Sequence, residues 1–245
     1  MKYNENEILE LHNLGLTDKE ISEKLGYNSN LFAKKRARMG LIPNNPRKTI
    51  ELTKEEKEIL CGTLLGDSTI RYVHKDCIYP NLTFSHCIQQ KEYFEYKTDK
   101  LKRLCSSSKE YNTSEKALSK NDTFLQFTGK NMKCLVELRN IFYPNNIKII
   151  PMEYIFNNFT ELSMYYLMMD DGSYDISNNS YIINSQCFSK DNLKEFVNFL
   201  YNILNLDFSI KSDNTLYLKH NSNSKMTEIL IKYNECDTMN YKCHH

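Results

Sequence analysis

Two short segments each carry a nearly all-apolar helix end into a carboxylate: Leu60-Cys61-Gly62-Thr63-Leu64-Leu65-Gly66-Asp67-Ser68 and Met164-Tyr165-Tyr166-Leu167-Met168-Met169-Asp170-Asp171-Gly172. An acid there is locally unfavourable, because a helix C-terminus already carries partial negative charge, worth about 0.3–1 kcal/mol against it. Two such acids, Asp67 and Asp171, imply a positive partner beside them. A divalent cation fits, since Mg²⁺ takes one or two carboxylates and fills its shell with water and phosphate oxygens. The matching chemistry is hydrolysis of two phosphodiesters, one on each strand of a duplex. The histidines offer no rival constellation, for His74, His86 and His220 stand isolated in the sequence.

Such chemistry needs the two helices to meet. Both are apolar almost all round, the pattern of a buried helix. Gly62 and Gly66 leave a smooth stripe where another helix backbone can come close. Packed about a pseudo-dyad, the helices bring Asp67 and Asp171 together at one end.

The surrounding residues read as an internal repeat. Thr53 and Glu56 form a capping box that opens a helix to about Leu65. Strands are expected at Thr69–Val73 and Asn81–Cys87, then a helix over Gln89–Leu104, a strand pair ending at Thr123–Thr128, and a helix over Met132–Phe142. The second half follows the same course. A helix starts at Thr160 and leads to Asp171. Strands at Ser173–Ile176 and Tyr181–Cys187, a helix over Asp191–Leu204, strands at Phe208–Lys211 and Thr215–Lys219, and a helix over Lys225–Tyr233 complete it. Ser85-His86-Cys87 matches Ser185-Gln186-Cys187. The expected fold class is α+β: two pseudo-symmetric αββαββα halves, 53–150 and 151–245, with antiparallel saddle-shaped sheets.

Ahead of them, residues 1–42 read as three short helices. Thr17 and Glu20 cap the second, Asn28-Ser29 starts the third, and Gly40 stops it. The third carries Lys34, Lys35, Arg36 and Arg38, as the reading helix of a helix-turn-helix would. Residues 43–52 form a linker, because Pro43-Asn44-Asn45-Pro46 cannot continue a helix. Arg47 and Lys48 extend the basic run, which holds no acid from Lys24 to Ile50.

The two motifs resemble the paired signature of the LAGLIDADG homing endonucleases, in the single-chain, intron-encoded monomeric form. The resemblance covers about residues 55–245. It implies that Asp67 and Asp171, at the eighth motif position, bind catalytic metal, and that the backbone carbonyls of Gly66 and Asp170 join the shell. Lys148-Ile149-Ile150-Pro151 is similar to the lysine segment that precedes the second motif in that branch, and Met239-Asn240-Tyr241-Lys242 to its C-terminal counterpart. Lys148 and Lys242 are thereby assigned to orienting water or stabilising phosphate charge. Ser68 departs from the usual final glycine. Tyr166 and Asp170 replace small packing residues, so the helix interface should be asymmetric. The implied function is site-specific hydrolysis of both strands of a long double-stranded DNA target by a monomer, with Mg²⁺, Mn²⁺ substituting. A catalytically silent DNA-binding regulator and an RNA maturase are the alternatives on the same fold.

Base reading would fall to alternate strand positions, since period two sends one set of side chains to the core and the other outward. Arg71, Lys75, His86, Gln126, Gln186, Lys211 and Lys219 are the expected outward readers. A two-stranded ribbon can enter the major groove, where base edges are distinguishable.

Composition bounds the rest. The chain has 245 residues, 40% of them hydrophobic, and a net charge of +1, which leaves a nucleic-acid partner to be decided by patches rather than totals. No apolar run nears the roughly 18 residues a membrane span needs. Met1-Lys2-Tyr3-Asn4-Glu5 lacks a signal-peptide core, so the expected compartment is the cytoplasm, or an organellar matrix if the gene lies in an organelle intron. The 8 cysteines hold no C-x-x-C pair and are expected to be reduced and mostly buried. With 7 glycines and no tryptophan, the composition argues against a glycine-rich nucleotide-binding fold.

Overall fold

The structure, a computed structural model, describes residues 4–44, 50–74, 77–112 and 122–243. It divides into two compact units, one of the residues up to Glu51 together with Met132–Cys134, the other of Leu52–Asn131 and the residues from Leu135 onward. Arg47, Lys48 and Lys75 lie outside the described residues.

The first unit is three helices, α1 (Glu5–Asn13), α2 (Asp18–Leu25) and α3 (Ser29–Arg38). The Thr17–Glu20 capping box forms in full, and Gly26 ends α2 in the left-handed region at φ 66°, where glycine has no Cβ penalty. The Asn28 side chain accepts hydrogen bonds from the first amides of α3. Ile8, Leu11, Ile21 and Phe32 form the core. Each such burial is worth about 1.5–3 kcal/mol.

The second unit contains the repeat. Its first half runs α4 (Lys54–Leu65), β1 (Thr69–Arg71), β2 (Asn81–Cys87), α5 (Lys91–Lys100), β3 (Cys105–Asn112), β4 (Thr123–Gly129) and α6 (Cys134–Phe142). The second runs α7 (Met152–Asn158), α8 (Glu161–Asp171), β5 (Gly172–Asp175), β6 (Ser180–Ile183), α9 (Lys190–Leu204), β7 (Phe208–Ile210), β8 (Leu216–Leu218) and α10 (Asn223–Tyr233). Helix α7, which follows Pro151, has no counterpart in the first half and breaks the expected αββαββα symmetry. Both sheets are antiparallel with the same order, β1-β2-β4-β3 and β5-β6-β8-β7, so the repeat is one of topology as well as sequence.

Helices α4 and α8 form the shared core. From Ile59 to Leu65 every residue of α4 is buried, and so is every residue of α8 from Ser163 to Asp170. A Cβ on Gly62 would stand 2.0 Å from the Ser163 carbonyl oxygen, and one on Gly66 would stand 2.5 Å from the Asp170 Cβ. The bulky residues of the second motif thus fill the stripe left by the glycines of the first. The Ser163 hydroxyl accepts from the Thr160 amide at 3.1 Å and donates to the Glu58 carbonyl at 2.7 Å, tying α8 to α4.

The strands correct two sequence expectations. On β2, Leu82, Phe84 and His86 all point inward, and His86 is only 2% exposed. His86 pairs in register with the buried Leu125, whereas Ser85 pairs with Gln126, so His86 and Gln126 face opposite sides of the sheet. His86 is not an outward reader. Strand β6 stops at Ile183 and residues 185–188 form a turn, with the Phe188 amide donating to the Ser185 carbonyl at 3.0 Å. Gln186 is therefore exposed but off the strand.

All 8 cysteines are free, but only Cys61, Cys236 and Cys243 are buried and Cys187 is exposed. The expectation that most of them are buried does not hold. Among the described residues no helix is long and apolar enough to cross a membrane.

Candidate active site at the ends of the paired helices

Asp67 lies just past the end of α4 and Asp171 is the last residue of α8. Each helix end is capped by a lysine from elsewhere in the fold. Lys148 Nζ donates to the carbonyl of Gly66 at 2.8 Å and to that of Leu65 at 3.3 Å. Lys242 Nζ donates to the carbonyls of Met169, Asp170 and Met168 at 2.6, 3.1 and 3.3 Å. These orphan carbonyls carry the negative end of the helix dipole, which a cation neutralises. The two carbonyls assigned to the metal shell, Gly66 and Asp170, already accept from the lysines. Burial pushes both ammonium groups down, and the neighbouring carboxylates oppose it.

The carboxylates crowd one another. Burial, then the Asp170 charge, pushes Asp67 up to about 6 against the pull of Lys97, Lys242 and Lys148. Burial, then Asp67 and Asp170, pushes Asp171 up to about 7. Such crowding is what a divalent cation between them would relieve, and the donors are hard oxygens suited to Mg²⁺. The acid pair therefore fits the metal inferred from sequence.

The raised pKa values set a sign for stability. Between the ordinary carboxylate value of 3.8 and about 7, the folded state holds protons at Asp67 and Asp171 that the unfolded chain has released. Stability without divalent cation must then fall as pH rises through that window. Thermal melts in chelator at stepped pH are expected to show the fall, and Asp171→Asn should flatten it. A melting temperature that rises from pH 4 to pH 7 would contradict this electrostatic account.

Asp170 behaves unlike either neighbour. Its side chain is fully buried, against Gly66, and accepts from Lys97 Nζ at 2.8 Å on both oxygens, from Tyr93 Oη at 2.7 Å and from Thr63 Oγ1 at 2.6 Å. Burial works to raise its pKa, but the Lys97 charge, with these hydrogen bonds, outweighs it and holds the carboxyl below its usual range. His86, 3.7 Å from Asp67 and 3.8 Å from Asp170, is pushed down to about 4 by burial and then by Lys97, so it is neutral. Asp67, His86 and Asp170 each place one ligand atom within 4.8 Å of the others. Because Asp170 is already saturated, a cation there would have to displace an ammonium, which favours Asp67 with Asp171 as the metal pair.

Sequence reasoning missed Lys97 and the inward role of His86, though both had a signal. His86 is in phase with Leu82 and Phe84 on a period-two strand. Lys97 falls four residues from Tyr93 and three from Phe94, on the buried stripe of α5.

The other named residues divide by place. Arg71 is exposed and Gln126 half-buried on the first sheet. Lys211 lies 4.6 Å over the Tyr217 ring and Lys219 pairs with Asp207 at 2.9 Å. Both line an open pocket of about 510 Å³ with Ser180, Ser209 and Tyr217. In the first unit, Arg36 donates to both Asp18 oxygens at 2.8 and 3.0 Å and to the Leu41 carbonyl, and its side chain is 11% exposed. Lys35 pairs with Glu5. Lys34 and Arg38 are exposed.

Two like halves, each ending a buried helix in a lysine-capped acid, define a nuclease-like centre built across a pseudo-dyad. The sequence model of the LAGLIDADG DNA endonuclease family matches residues 57–229, and the chain belongs to that family. A relative described as probable intron-encoded endonuclease 1, from Wickerhamomyces canadensis, is 27% identical over 184 residues, 70% of this chain and 75% of the relative. Among solved structures, the homing endonuclease I-WcaI bound to its DNA recognition sequence superposes with a TM-score of 0.72 and 25% identity, covering 86% of this chain and 97% of that one.

Proposed function

We propose that this protein is a site-specific homing endonuclease that hydrolyses both strands of a long duplex target, with Mg²⁺ held by Asp67 and Asp171 and Mn²⁺ able to substitute. The observation that carries the reading is the pair of crowded carboxylates at the ends of two interlocked helices, one from each sheet-bearing half. Family membership and the DNA held by I-WcaI support DNA as the partner. A bound divalent cation would supply a more acidic water and relief of charge on the phosphate oxygens.

The protein's own groups do the rest. Asp67 and Asp171 anchor the centre from opposite halves, which suits one phosphodiester on each strand. Lys148 uses two of its three N–H groups on carbonyls, leaving one to donate to a phosphate oxygen. Lys242 spends all three on carbonyls, so it acts as fixed positive charge near the developing negative charge. The outer faces of the two sheets, with Arg71, Gln126, Lys211 and Lys219, would follow the grooves, and Gln186 would reach from its turn. The protein is proposed to act as a monomer in the cytoplasm or an organellar matrix.

The first unit is proposed to lengthen the site as a helix-turn-helix. Among its described residues, Lys34 and Arg38 are exposed, and Lys35 and Arg36 are occupied by Glu5 and Asp18. Lys34→Gln and Arg38→Gln should each weaken binding and reduce the slope of log affinity against log salt by about 0.9. Arg36→Gln should instead lower the stability of the three-helix unit. Anisotropy titrations over a salt series read the first effect and melting of the variants the second. An unchanged slope in the Lys34→Gln/Arg38→Gln double variant would remove α3 from the interface.

The deciding experiment incubates the protein with a randomised duplex library and Mg²⁺ and sequences the ends. Specific cut ends support the reading. Specific binding with no cut in Mg²⁺ or Mn²⁺ would make the chain a DNA-binding regulator.

A further inference from the structure

We propose that Lys97 is a positioning residue: with Asp170 and His86 it forms a one-sided support under Asp67, so that the two strands are cut at unequal rates. The inference rests on the double-strand cleavage reading and deepens it.

Lys97 is 0% exposed. A lysine without solvent is costly unless its charge is met, and here a single carboxylate, Asp170, meets it with both oxygens at 2.8 Å. The ammonium also lies 4.4 Å over the Phe84 ring and 3.4 Å from His86 Nε2. From this buried pair two lines of contact lead to Asp67. Through Asp170, Thr63 Oγ1 is engaged at 2.6 Å, and the same hydroxyl meets Ser68 Oγ at 2.5 Å, fixing the chain on either side of Asp67. Through His86, Nδ1 stands 3.7 Å from Asp67 Oδ2.

The second half lacks the arrangement. The motif position matching Asp170 is Gly66, which has no side chain to pair. In strand register the position matching His86 is Ser185, buried like it, but its short hydroxyl donates to the Asn214 carbonyl at 2.5 Å and it has no ring to set beside the acid. Asp171 is instead flanked by Lys148 and by the exposed Cys187. Two catalytic acids with such different supports have no physical reason to act at equal rates.

The test follows the first nick on each strand of a supercoiled plasmid carrying the library-selected site, with each strand labelled separately. Lys97→Met/Asp170→Asn removes both buried charges at nearly constant volume, which a folded core tolerates better than either single change. His86→Ser puts the second half's residue into the first. In both variants one strand should slow by about tenfold, the scale of a small misplacement of a reacting group, while the other and the DNA affinity stay within about twofold. Lys97→Arg should recover part of the loss. Equal slowing of both strands, or an unchanged ratio in His86→Ser, would overturn the proposal even if the double variant fails to fold. A wild-type protein that cuts neither strand would overturn the cleavage reading itself.

Discussion

Asp67→Asn and Asp171→Asn are each expected to lower cleavage by about 10³-fold or more, on the order of 4 kcal/mol of barrier. DNA affinity should stay within a few-fold, because each change removes one negative charge from a surface that must meet phosphate. The same variants should melt higher, not lower, in the absence of divalent cation. Each acid is held at a raised pKa by burial and by neighbouring carboxylate charge, and the neutral amide of asparagine escapes both penalties. A gain of roughly 2 °C is the expected size, typical of relieving strain stored in a functional site. Cleavage assays on the selected duplex, binding in Ca²⁺ and melts in chelator measure the three effects together. A variant that loses cleavage, binding and stability in parallel would show that the acids are structural rather than catalytic.

Gly62→Ala should give the largest loss of stability among single changes. The new Cβ would lie 2.0 Å from the Ser163 carbonyl oxygen and 3.0 Å from the Tyr166 Cβ. The clash is with backbone, so no rotamer change relieves it, and α4 and α8 must move apart along a contact that is buried throughout. Overpacking of this kind costs about 3 kcal/mol or more, which for a unit this size lowers the melting temperature by roughly 6–12 °C. Separating the helices also separates Asp67 from Asp171, so cleavage should fall further than stability alone explains. A fully active Gly62→Ala protein with an unchanged melting temperature would mean that the helices do not pack as described.

Much of the site is legible in the sequence because its signals are local. A carboxylate ending an all-apolar helix shows within nine residues, and its recurrence at Asp171 is just as local. Gly62 and Gly66 announce a close helix contact, and Tyr166 and Asp170 announce that the contact is uneven. The strands are less legible. Asn81–Cys87 is a strand over its whole expected span, but β6 ends at Ile183, where the chain turns to let the Ser185 hydroxyl reach the Asn214 carbonyl, a partner far away in sequence. Helix α7 escapes a sequence reading because Pro151 reads as a break when it is in fact a start.

The chain's own order of residues determined that there are two halves, that each ends a buried helix in an acid, and that these acids need positive charge. Period and composition act over a few residues, so they survive without knowledge of the fold. Only the tertiary structure decided what that charge touches. It set Lys148 and Lys242 on helix-end carbonyls, turned His86 inward, occupied Arg36 with Asp18, and gave the Asp170 side chain to Lys97. Each of these pairings joins residues from separate elements, and the low dielectric of a packed interior is what makes the choice of partner decisive.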